Sequence, residues 1–161
     1  MELAEPVAIV EASTPAEIAD MRELFAEYQR WLGEDLSFQG FSSELDSLAE
    51  LYASPGGCLL LARAPDGAAA GGVGMEELEP GVCEMKRLYV RPPWRGVGLG
   101  RLLAETAVRA GRDAGYAVMR LDPLTRLHEA VALYRSMGFY EIPAYYENPM
   151  DGVFYLELSL A

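Results

Sequence analysis

The sequence predicts an α/β protein in which a mixed sheet carries helices on both faces. Three observations support this class. Short apolar segments of strand length recur along the chain, segments with apolar residues at helical spacing separate some of them, and turn residues lie at the boundaries. Some strands follow one another directly and others are separated by a helix, so we expect a mixed sheet. The length favours a single domain over residues 1–161.

The N-terminal third predicts one strand and two helices. Residues 6–12 have the apolar character of a strand. The segment Thr14-Pro15-Ala16-Glu17 combines a capping box with proline at the first helical position, so a helix is expected to begin there. A second helix is expected to begin at Ser42 or Ser43 and to end before the turn residues 54–57.

The rest of the chain predicts further strands and two more helices. The strands are expected at residues 58–64, 69–77, 82–91, 116–122, 139–146 and 152–160. The helices are expected from Leu99 to near Gly115 and over residues 126–137. The last two strands are expected to pair with each other across the turn at 148–152.

The strand at 82–91 leads into Arg95-Gly96-Val97-Gly98-Leu99-Gly100, directly before a predicted helix. Successive backbone N–H groups of such a turn can face one anion, and the helix N-terminus adds partial positive charge at the same point. Glycine also allows close approach because it has no Cβ. These features together predict a binding place for a pyrophosphate.

The glycine spacing of this turn differs from that of two other phosphate-binding motifs. A dinucleotide fold requires GxGxxG after the first strand, with an acidic residue about 20 positions later. A P-loop requires GxxxxGK followed by Ser or Thr, and the sequence contains no such run. The turn in this chain comes late and has the spacing GxGxG. A plain strand-to-helix connection stays open as an alternative.

Two separated motifs give a family resemblance. The pattern Arg-x-x-Gly-x-Gly at residues 95–100 resembles the acyl-CoA pyrophosphate loop of the GNAT superfamily of N-acetyltransferases, and LYRSMGF at residues 133–139 resembles a later element of that superfamily. The resemblance covers roughly residues 58–160. It implies a GNAT fold, with a mostly antiparallel sheet of six to seven strands and a splayed parallel pair that binds the pantetheine arm of acetyl-CoA.

The resemblance also implies cofactor-binding residues. Backbone groups of Leu88, Tyr89 and Val90 would bind the pantetheine amides, and an N–H near Leu88 would polarise the thioester carbonyl. The pyrophosphate would be held by Arg95, Gly96, Val97, Gly98, Gly100 and Arg101. Acetyl-CoA is therefore the expected co-substrate. A metal is not expected, since the chain has two cysteines, Cys58 and Cys83, and one histidine, His128.

Glu84 and Tyr134 are the catalytic candidates that the resemblance implies. Strand alternation predicts Glu84, Lys86, Leu88 and Val90 on one face, and apolar neighbours would raise the pKa of Glu84 towards that of a general base. Tyr134 would protonate the departing thiolate. The alternatives are an ion pair between Glu84 and Lys86, a packing role for Tyr134, and a water molecule as the base.

The acceptor side is expected, from the resemblance, to involve the first two helices and the last strands. Its candidate residues are Tyr28, Trp31, Arg87, Tyr145 and Asn148. Aromatic rings with scattered acids suit a cationic amine. As an alternative, Arg87 or Arg120 would hold a carboxylate and select an amino acid.

Charge narrows the range of partners. The net charge of −12 argues against binding to nucleic acid or anionic membranes. Residues 1–60 contain twelve acids and two arginines, whereas residues 86–101 contain five basic residues and no acid. This asymmetry predicts a cationic acceptor on one side and anionic CoA on the other. The N-terminal residues lack the basic region of a signal peptide, so the expected location is the cytoplasm. The oligomeric state stays open, with a homodimer as one option.

The function predicted from the sequence is transfer of an acetyl group from acetyl-CoA to the primary amine of a small molecule, by direct attack in a ternary complex. Two alternatives stay open. One is an acetyltransferase that acts on a protein or peptide amine, and the other is a non-catalytic acyl-CoA-binding sensor.

Overall fold

The computed structural model describes residues 7–33 and 40–161. The strands are β1 (Ala8–Glu11), β2 (Cys58–Arg63), β3 (Ala69–Glu79), β4 (Val82–Val90), β5 (Val118–Leu121), β6 (Tyr140–Glu141) and β7 (Leu156–Ser159). The helices are α1 (Pro15–Leu32), α2 (Phe41–Asp46), α3 (Leu48–Leu51), α4 (Leu99–Asp113) and α5 (His128–Ser136), with a 3₁₀ turn at Pro92–Trp94. The predicted alternation of strands and helices is confirmed.

The seven strands of the described residues form one sheet in the order β1-β2-β3-β4-β5-β7-β6. Neighbouring strands are antiparallel except for β4 and β5, which are parallel. The mixed, mostly antiparallel sheet expected from the resemblance is therefore confirmed. The last two strands pair as predicted, but β7 also pairs with β5, so it lies between β5 and β6.

The parallel pair is short and then opens. β4 and β5 are paired at only three positions, Val82 with Val118, Cys83 with Met119 and Glu84 with Arg120. β4 continues to Val90, and within the described residues this second half is paired only with β3. The opening between the two strands therefore begins directly after Glu84.

A β-bulge interrupts the second half of β4. Gly72 and Gly74 of β3 face Tyr89 and Lys86 of β4, so one extra residue is inserted in β4. Arg87 lies within this bulge and has a φ of 64°, in the left-handed region that side chains other than glycine rarely occupy. An inserted residue reverses the alternation of side chains along the rest of the strand.

The bulge makes one prediction from strand alternation wrong. Leu88 and Val90 pack into the core beneath α4, together with the preceding Cys83 and Met85. Glu84 and Lys86 instead face the opposite side. The four residues Glu84, Lys86, Leu88 and Val90 were predicted to share one face, but the extra residue divides them between both.

Two hydrophobic cores lie on the two faces of the sheet. One is formed by α4 and α5 with apolar residues of β2 to β5 and β7. The other is formed by α1, α2 and α3 with residues of β2 and β4, and it includes the fully buried Met21, Leu24 and Phe25. The helices on both faces are thus confirmed. Among the described residues, no helix is long and apolar enough to cross a membrane.

Several element boundaries differ from the sequence prediction. The predicted helix that begins at Ser42 or Ser43 is two short helices that begin at Phe41, after Gly40 in a left-handed conformation. The predicted strands at 139–146 and 152–160 shorten to β6 and β7, because residues 142–155 form a loop between them. The start of α1 is as predicted, with the capping box of Thr14 and Glu17.

Candidate active site

A cleft of about 600 Å³ lies between the end of β4, the glycine turn and the start of α5. We call it the glycine cleft. Its lining includes the predicted residues Leu88, Tyr89, Val90, Arg95, Gly96, Gly98 and Gly100, with residues 126–130 and Leu133 on the opposite wall. Val97 and Arg101 were predicted in this group, but they do not line the cleft. Arg101 instead donates a hydrogen bond from Nη2 to Ser136 Oγ at 2.5 Å.

The backbone of the glycine turn suits an anion. Gly96 and Gly98 have φ values of 80° and 88°, and no atom of residues 7–33 or 40–161 lies within 4 Å of where a Cβ would stand on either residue. Gly98 immediately precedes α4, and no side chain of the described residues caps the helix there. The first N–H groups of the 15-residue helix are therefore available to a ligand. These features fit the pyrophosphate of an acyl-CoA.

Arg95 and Trp31 form one wall of the glycine cleft. Arg95 Nε donates a hydrogen bond to the carbonyl oxygen of Val90 at 2.8 Å, and its guanidinium lies 5.4 Å from the Trp31 ring and 5.6 Å from the Tyr89 ring. Trp31 is 47% exposed although it is a large aromatic residue. It was predicted on the acceptor side, but the structure places it beside the glycine turn.

A narrow cavity of about 90 Å³ lies deeper, between β4 and α5. We call it the tyrosine cavity, because Tyr28 and Tyr134 both line it. Tyr134 is buried, and its ring packs against Phe139 at 5.8 Å. Burial raises its pKa well above the usual value, and it raises the pKa of Tyr28 to about 12. Within the described residues, the Tyr134 hydroxyl forms no hydrogen bond, so it is available to a group that enters the cavity.

A third cavity, of about 450 Å³, shares Lys86 and Asp122 with the tyrosine cavity but no lining residue with the glycine cleft. We call it the acidic pocket. Its lining contains five acidic and two basic residues, together with Leu78 and two tyrosines. The charged and aromatic residues are Glu76, Glu79, Glu84, Asp122, Glu147, Lys86, Arg120, Tyr145 and Tyr146.

Glu84 lies in the acidic pocket, at the point where β4 and β5 separate. The Tyr145 hydroxyl donates a hydrogen bond to Glu84 Oε2 at 2.6 Å, and Lys86 Nζ lies 4.0 Å from Oε1. Burial, with a smaller contribution from the negative charge of Asp122, raises the pKa of Glu84 to about 6. The side chain therefore has the burial and the pKa of a general base that works near neutral pH.

Asp122 is a second buried carboxylate of the same pocket, and the sequence analysis missed it. It follows β5 directly, and the Tyr146 hydroxyl donates a hydrogen bond to its Oδ2. Burial raises the pKa of Asp122. Asn148, predicted as an acceptor residue, does not line the pocket but donates from Nδ2 to the Tyr146 hydroxyl at 2.8 Å. The signal lies in the strand register: Arg120 of β5 pairs with Glu84 of β4, so Asp122, two residues further on, lies beside the opening that begins after Glu84.

The two arginines considered for an acidic acceptor already have carboxylate partners. Arg87 is buried, and it donates from Nε and Nη2 to the two oxygens of Glu44 at 3.2 and 3.1 Å. Arg120 Nε donates to Glu157 at 2.9 Å. Arg87 lines the tyrosine cavity and Arg120 the acidic pocket. Binding of a carboxylate by either arginine would require breaking an existing ion pair.

Comparison with known proteins agrees with this geometry. The model of the acetyltransferase (GNAT) family matches residues 18–139. The chain belongs to the GNAT family of acetyltransferases. The uncharacterized N-acetyltransferase C1271.07c of Schizosaccharomyces pombe (strain 972) is 40% identical over 156 residues, which is 96% of each chain. The uncharacterized N-acetyltransferase YjgM of Escherichia coli (strain K12) is 33% identical over 131 residues, 80% of this chain and 77% of that protein.

A solved structure extends the agreement to the whole fold. The GNAT-family acetyltransferase of Staphylococcus aureus Mu50 superposes with a TM-score of 0.80 at 18% identity, over 97% of this chain and 100% of that one. The GNAT fold and the assignment as an N-acetyltransferase are thus confirmed. Acetyl-CoA is the acyl donor of this family. Among the described residues, no group of three or more His, Cys, Asp or Glu is arranged to hold a metal ion.

Proposed function

We propose that this GNAT acetyltransferase transfers an acetyl group from acetyl-CoA to the primary amine of a small, positively charged molecule. The observation that carries the proposal is the buried Glu84, in an acidic pocket at the opening between β4 and β5. Such a carboxylate can accept a proton from an ammonium group, and its surroundings favour a cationic substrate.

The three cavities adjoin one another through shared lining residues, an arrangement that suits direct transfer between two bound substrates. The glycine cleft and the tyrosine cavity share Trp31, Leu88, Leu127 and Ala130. The tyrosine cavity and the acidic pocket share Lys86 and Asp122. Acetyl-CoA in the glycine cleft and an amine in the acidic pocket would therefore approach each other at the tyrosine cavity.

The glycine cleft is the proposed place for acetyl-CoA, which supplies the acetyl group as an activated thioester. The backbone of the glycine turn and the start of α4 would hold the pyrophosphate, with Arg95 and the nearby Arg101 adding positive charge. The second half of β4, which has no partner on the β5 side among the described residues, would bind the pantetheine arm through Leu88, Tyr89 and Val90.

Glu84 is the proposed general base. It would take a proton from the ammonium group of the acceptor, directly or through a water molecule, and the neutral nitrogen would then form a bond to the thioester carbon. A backbone N–H near Leu88 would stabilise the negative charge on the carbonyl oxygen during this step. The acidic pocket would hold any further positive charge of the acceptor.

Tyr134 is the proposed general acid. As the carbon–sulfur bond breaks, its hydroxyl would donate a proton to the thiolate of CoA. Burial keeps the hydroxyl protonated in the neutral pH range, because it raises the pKa of Tyr134 well above the usual value. The absence of a hydrogen-bond partner among the described residues leaves the hydroxyl free to point at the sulfur.

The pH–rate profile of Glu84→Gln tests the proposal. Glutamine keeps the size of the side chain but cannot take the proton, so kcat/KM at neutral pH should fall by about 100-fold or more. The loss should shrink at high pH, where the amine loses its proton without help. Identical profiles for the variant and the parent would contradict the proposed role of Glu84.

A further inference from the structure

The loop between β6 and β7 reaches back to the carboxylate that the proposed mechanism uses. Tyr145 lies 61 residues after Glu84, yet its hydroxyl donates a hydrogen bond to Glu84 Oε2 at 2.6 Å. Hydrogen bonds from a hydroxyl to a carboxylate are shorter and stronger than those between neutral groups. The contact therefore bears directly on how Glu84 is oriented and when it ionises.

The packing around Tyr145 fixes the place of its hydroxyl. The ring centroids of Tyr146 and Tyr155 lie 5.4 Å from that of Tyr145. The guanidinium of Arg120 lies 5.2 Å from the same ring. Arg120 is in turn held by Glu157 of β7 at 2.9 Å. The ring that carries the hydroxyl is thus held in place by residues of β5 and of the loop between β6 and β7.

The hydrogen bond makes the two oxygens of Glu84 different. Oε2 accepts the proton of Tyr145, whereas Oε1 receives no hydrogen bond from the described residues and has Lys86 Nζ at 4.0 Å as its ion-pair contact. Since the carboxylate lines the acidic pocket, Oε1 is the oxygen left for a proton that arrives from the acceptor.

We propose that Tyr145 is a positioning residue for Glu84, which holds the carboxylate by Oε2 in its ionised form and leaves Oε1 to act as the base. The inference rests on the proposed function of Glu84. It assigns Tyr145 a task in the proton transfer instead of the contact with the acceptor that its place in the sequence suggested.

The charged and titratable groups that line the acidic pocket with Glu84 and Tyr145 come from every element around it. They are Glu76 and Glu79 of β3, Lys86 of β4, Arg120 of β5, Asp122 after β5, and Tyr146 and Glu147 of the loop. Burial and Asp122 raise the pKa of Glu84, while Lys86 and the Tyr145 hydrogen bond lower it. Burial and the charge of Glu84 raise the pKa of Tyr145, so the phenol stays a donor at neutral pH.

Tyr145→Phe tests the inference because it removes the hydroxyl and keeps the ring. A donor to the charged form lowers a pKa, so its removal should raise the pKa of Glu84. The acid limb of the kcat/KM profile should move upward by about one pH unit. Tyr140→Phe is the matched control, since the Tyr140 hydroxyl donates to Glu157 at the same distance of 2.6 Å but does not line the acidic pocket. Its acid limb should stay at the pH of the parent.

A second measurement needs no activity. Titration of glutamate labelled with ¹³C at the carboxyl carbon, with the Glu84 signal assigned through Glu84→Gln, should show the same upward shift in Tyr145→Phe. The inference would be overturned if the Glu84 carboxyl of Tyr145→Phe titrated at the same pH as in the parent. It would also be overturned if Tyr145→Phe kept the acid limb of the parent while Glu84→Gln abolished that limb. In both cases the role of Glu84 as the base would stand. If Glu84→Gln leaves the profile unchanged, the base role fails, and the carboxyl titration still decides whether Tyr145 holds Glu84 ionised.

Discussion

The glycine cleft and the acidic pocket both adjoin the tyrosine cavity, but they are built from different parts of the chain. The cleft depends on backbone groups of one continuous stretch, the end of β4 and the glycine turn, with α5 as its opposite wall. The pocket depends on side chains from β3, β4, β5 and the loop between β6 and β7. A backbone site of this kind serves any acyl-CoA, whereas a pocket of side chains can change with the acceptor.

The glycine cleft and the acidic pocket also differ in charge, and this difference too separates a cofactor site from an acceptor site. Arg95 and Arg126 with one acid, Glu129, line the glycine cleft, whereas five acids with two bases line the acidic pocket. None of these five acids comes from residues 1–60, where the sequence had placed the negative charge. Opposite charges at the two entrances favour an anionic cofactor on one side and a cationic acceptor on the other. Variants of each region should therefore affect the binding of one substrate and leave that of the other unchanged.

The largest effect is expected at Tyr134, in the tyrosine cavity that adjoins both the glycine cleft and the acidic pocket. Tyr134→Phe keeps the buried ring but removes the proposed proton donor, so kcat should fall by about 100-fold or more. The Kd for CoA should change by less than about threefold, because Tyr134 does not line the glycine cleft and the substitution keeps its ring. Stopped-flow or steady-state release of thiol, with calorimetry for binding, would measure both. Tyr116→Phe, which removes a hydroxyl bonded to Gly56 outside all three cavities, is the control.

Turnover of Tyr134→Phe within about twofold of the parent at every pH would assign Tyr134 to packing alone. The Tyr134 hydroxyl would then not be the general acid, and the thiolate would take its proton from another group.

The second prediction concerns the glycine cleft alone. Gly98→Asp places a Cβ and a negative charge where the pyrophosphate is expected, so the Kd for acetyl-CoA should rise by about 30-fold or more, equal to about 2 kcal/mol. The matched control is Gly67→Asp in the turn between β2 and β3. It has a φ of 91° and, like Gly98, no atom within 4 Å of a Cβ. Calorimetry on both folded variants would decide, and equal affinities would contradict the assignment of the cleft.

The glycine cleft was predictable from the sequence because it depends on local patterns. Glycine spacing sets the turn before α4, and the motif at residues 133–139 marks α5 and the residues that follow it. The capping box of Thr14 and Glu17 likewise fixed the start of α1. Each of these signals lies within a few residues of the structure that it predicts, so no tertiary contact was needed to read it.

The acidic pocket was only partly predictable because its geometry depends on distant residues. Glu84 and Tyr145 were candidates, but their contact requires the loop between β6 and β7 to fold back over 61 residues. The bulge at Arg87 is a shift in the register with β3, and Arg87 pairs there with Glu44, 43 residues away. Period-two alternation contains no information on such an insertion, so it gave the wrong face for Leu88.

The third prediction concerns the energetic cost of the acidic pocket. The pKa of Glu84 rises from its ordinary 4.5 to about 6, so between these values the folded state keeps a proton that the unfolded state has lost. The stability that Glu84 contributes is thus complete below pH 4.5 and is lost as the pH rises through about 6. Glutamine does not titrate, so Glu84→Gln does not lose this contribution to stability as the pH rises.

The free energy of unfolding of Glu84→Gln, relative to that of the parent, should therefore increase by about 2 kcal/mol from about pH 4 to about pH 7.5. Urea unfolding at both values would measure it. Glu50→Gln, at an exposed position of α3, is the control and should show no such change. A constant difference for Glu84→Gln across this range would mean that the pKa of Glu84 is not raised.

The smallest expected effect is the dependence of kcat/KM on salt concentration, which tests the acidic pocket and not the glycine cleft. Long-range attraction between the acidic pocket and a cationic acceptor is screened over about 8–10 Å at physiological ionic strength. The kcat/KM for such an acceptor, at saturating acetyl-CoA, should fall several-fold between about 50 and about 300 mM salt. A neutral amine under the same conditions should show little change. An equal response of both amines would remove the electrostatic argument for the pocket.

The central claim is that the acidic pocket selects a small cationic amine, and a panel of acceptors tests it most directly. Thiol release from acetyl-CoA would be measured with cationic, neutral and acidic amines and with peptides, and mass spectrometry would identify each acetylated product. We expect a small amine with net positive charge to have the highest kcat/KM, and Glu84→Gln to reduce its acetylation. The claim would be contradicted if acidic amines or peptides were the best acceptors, or if no amine were acetylated.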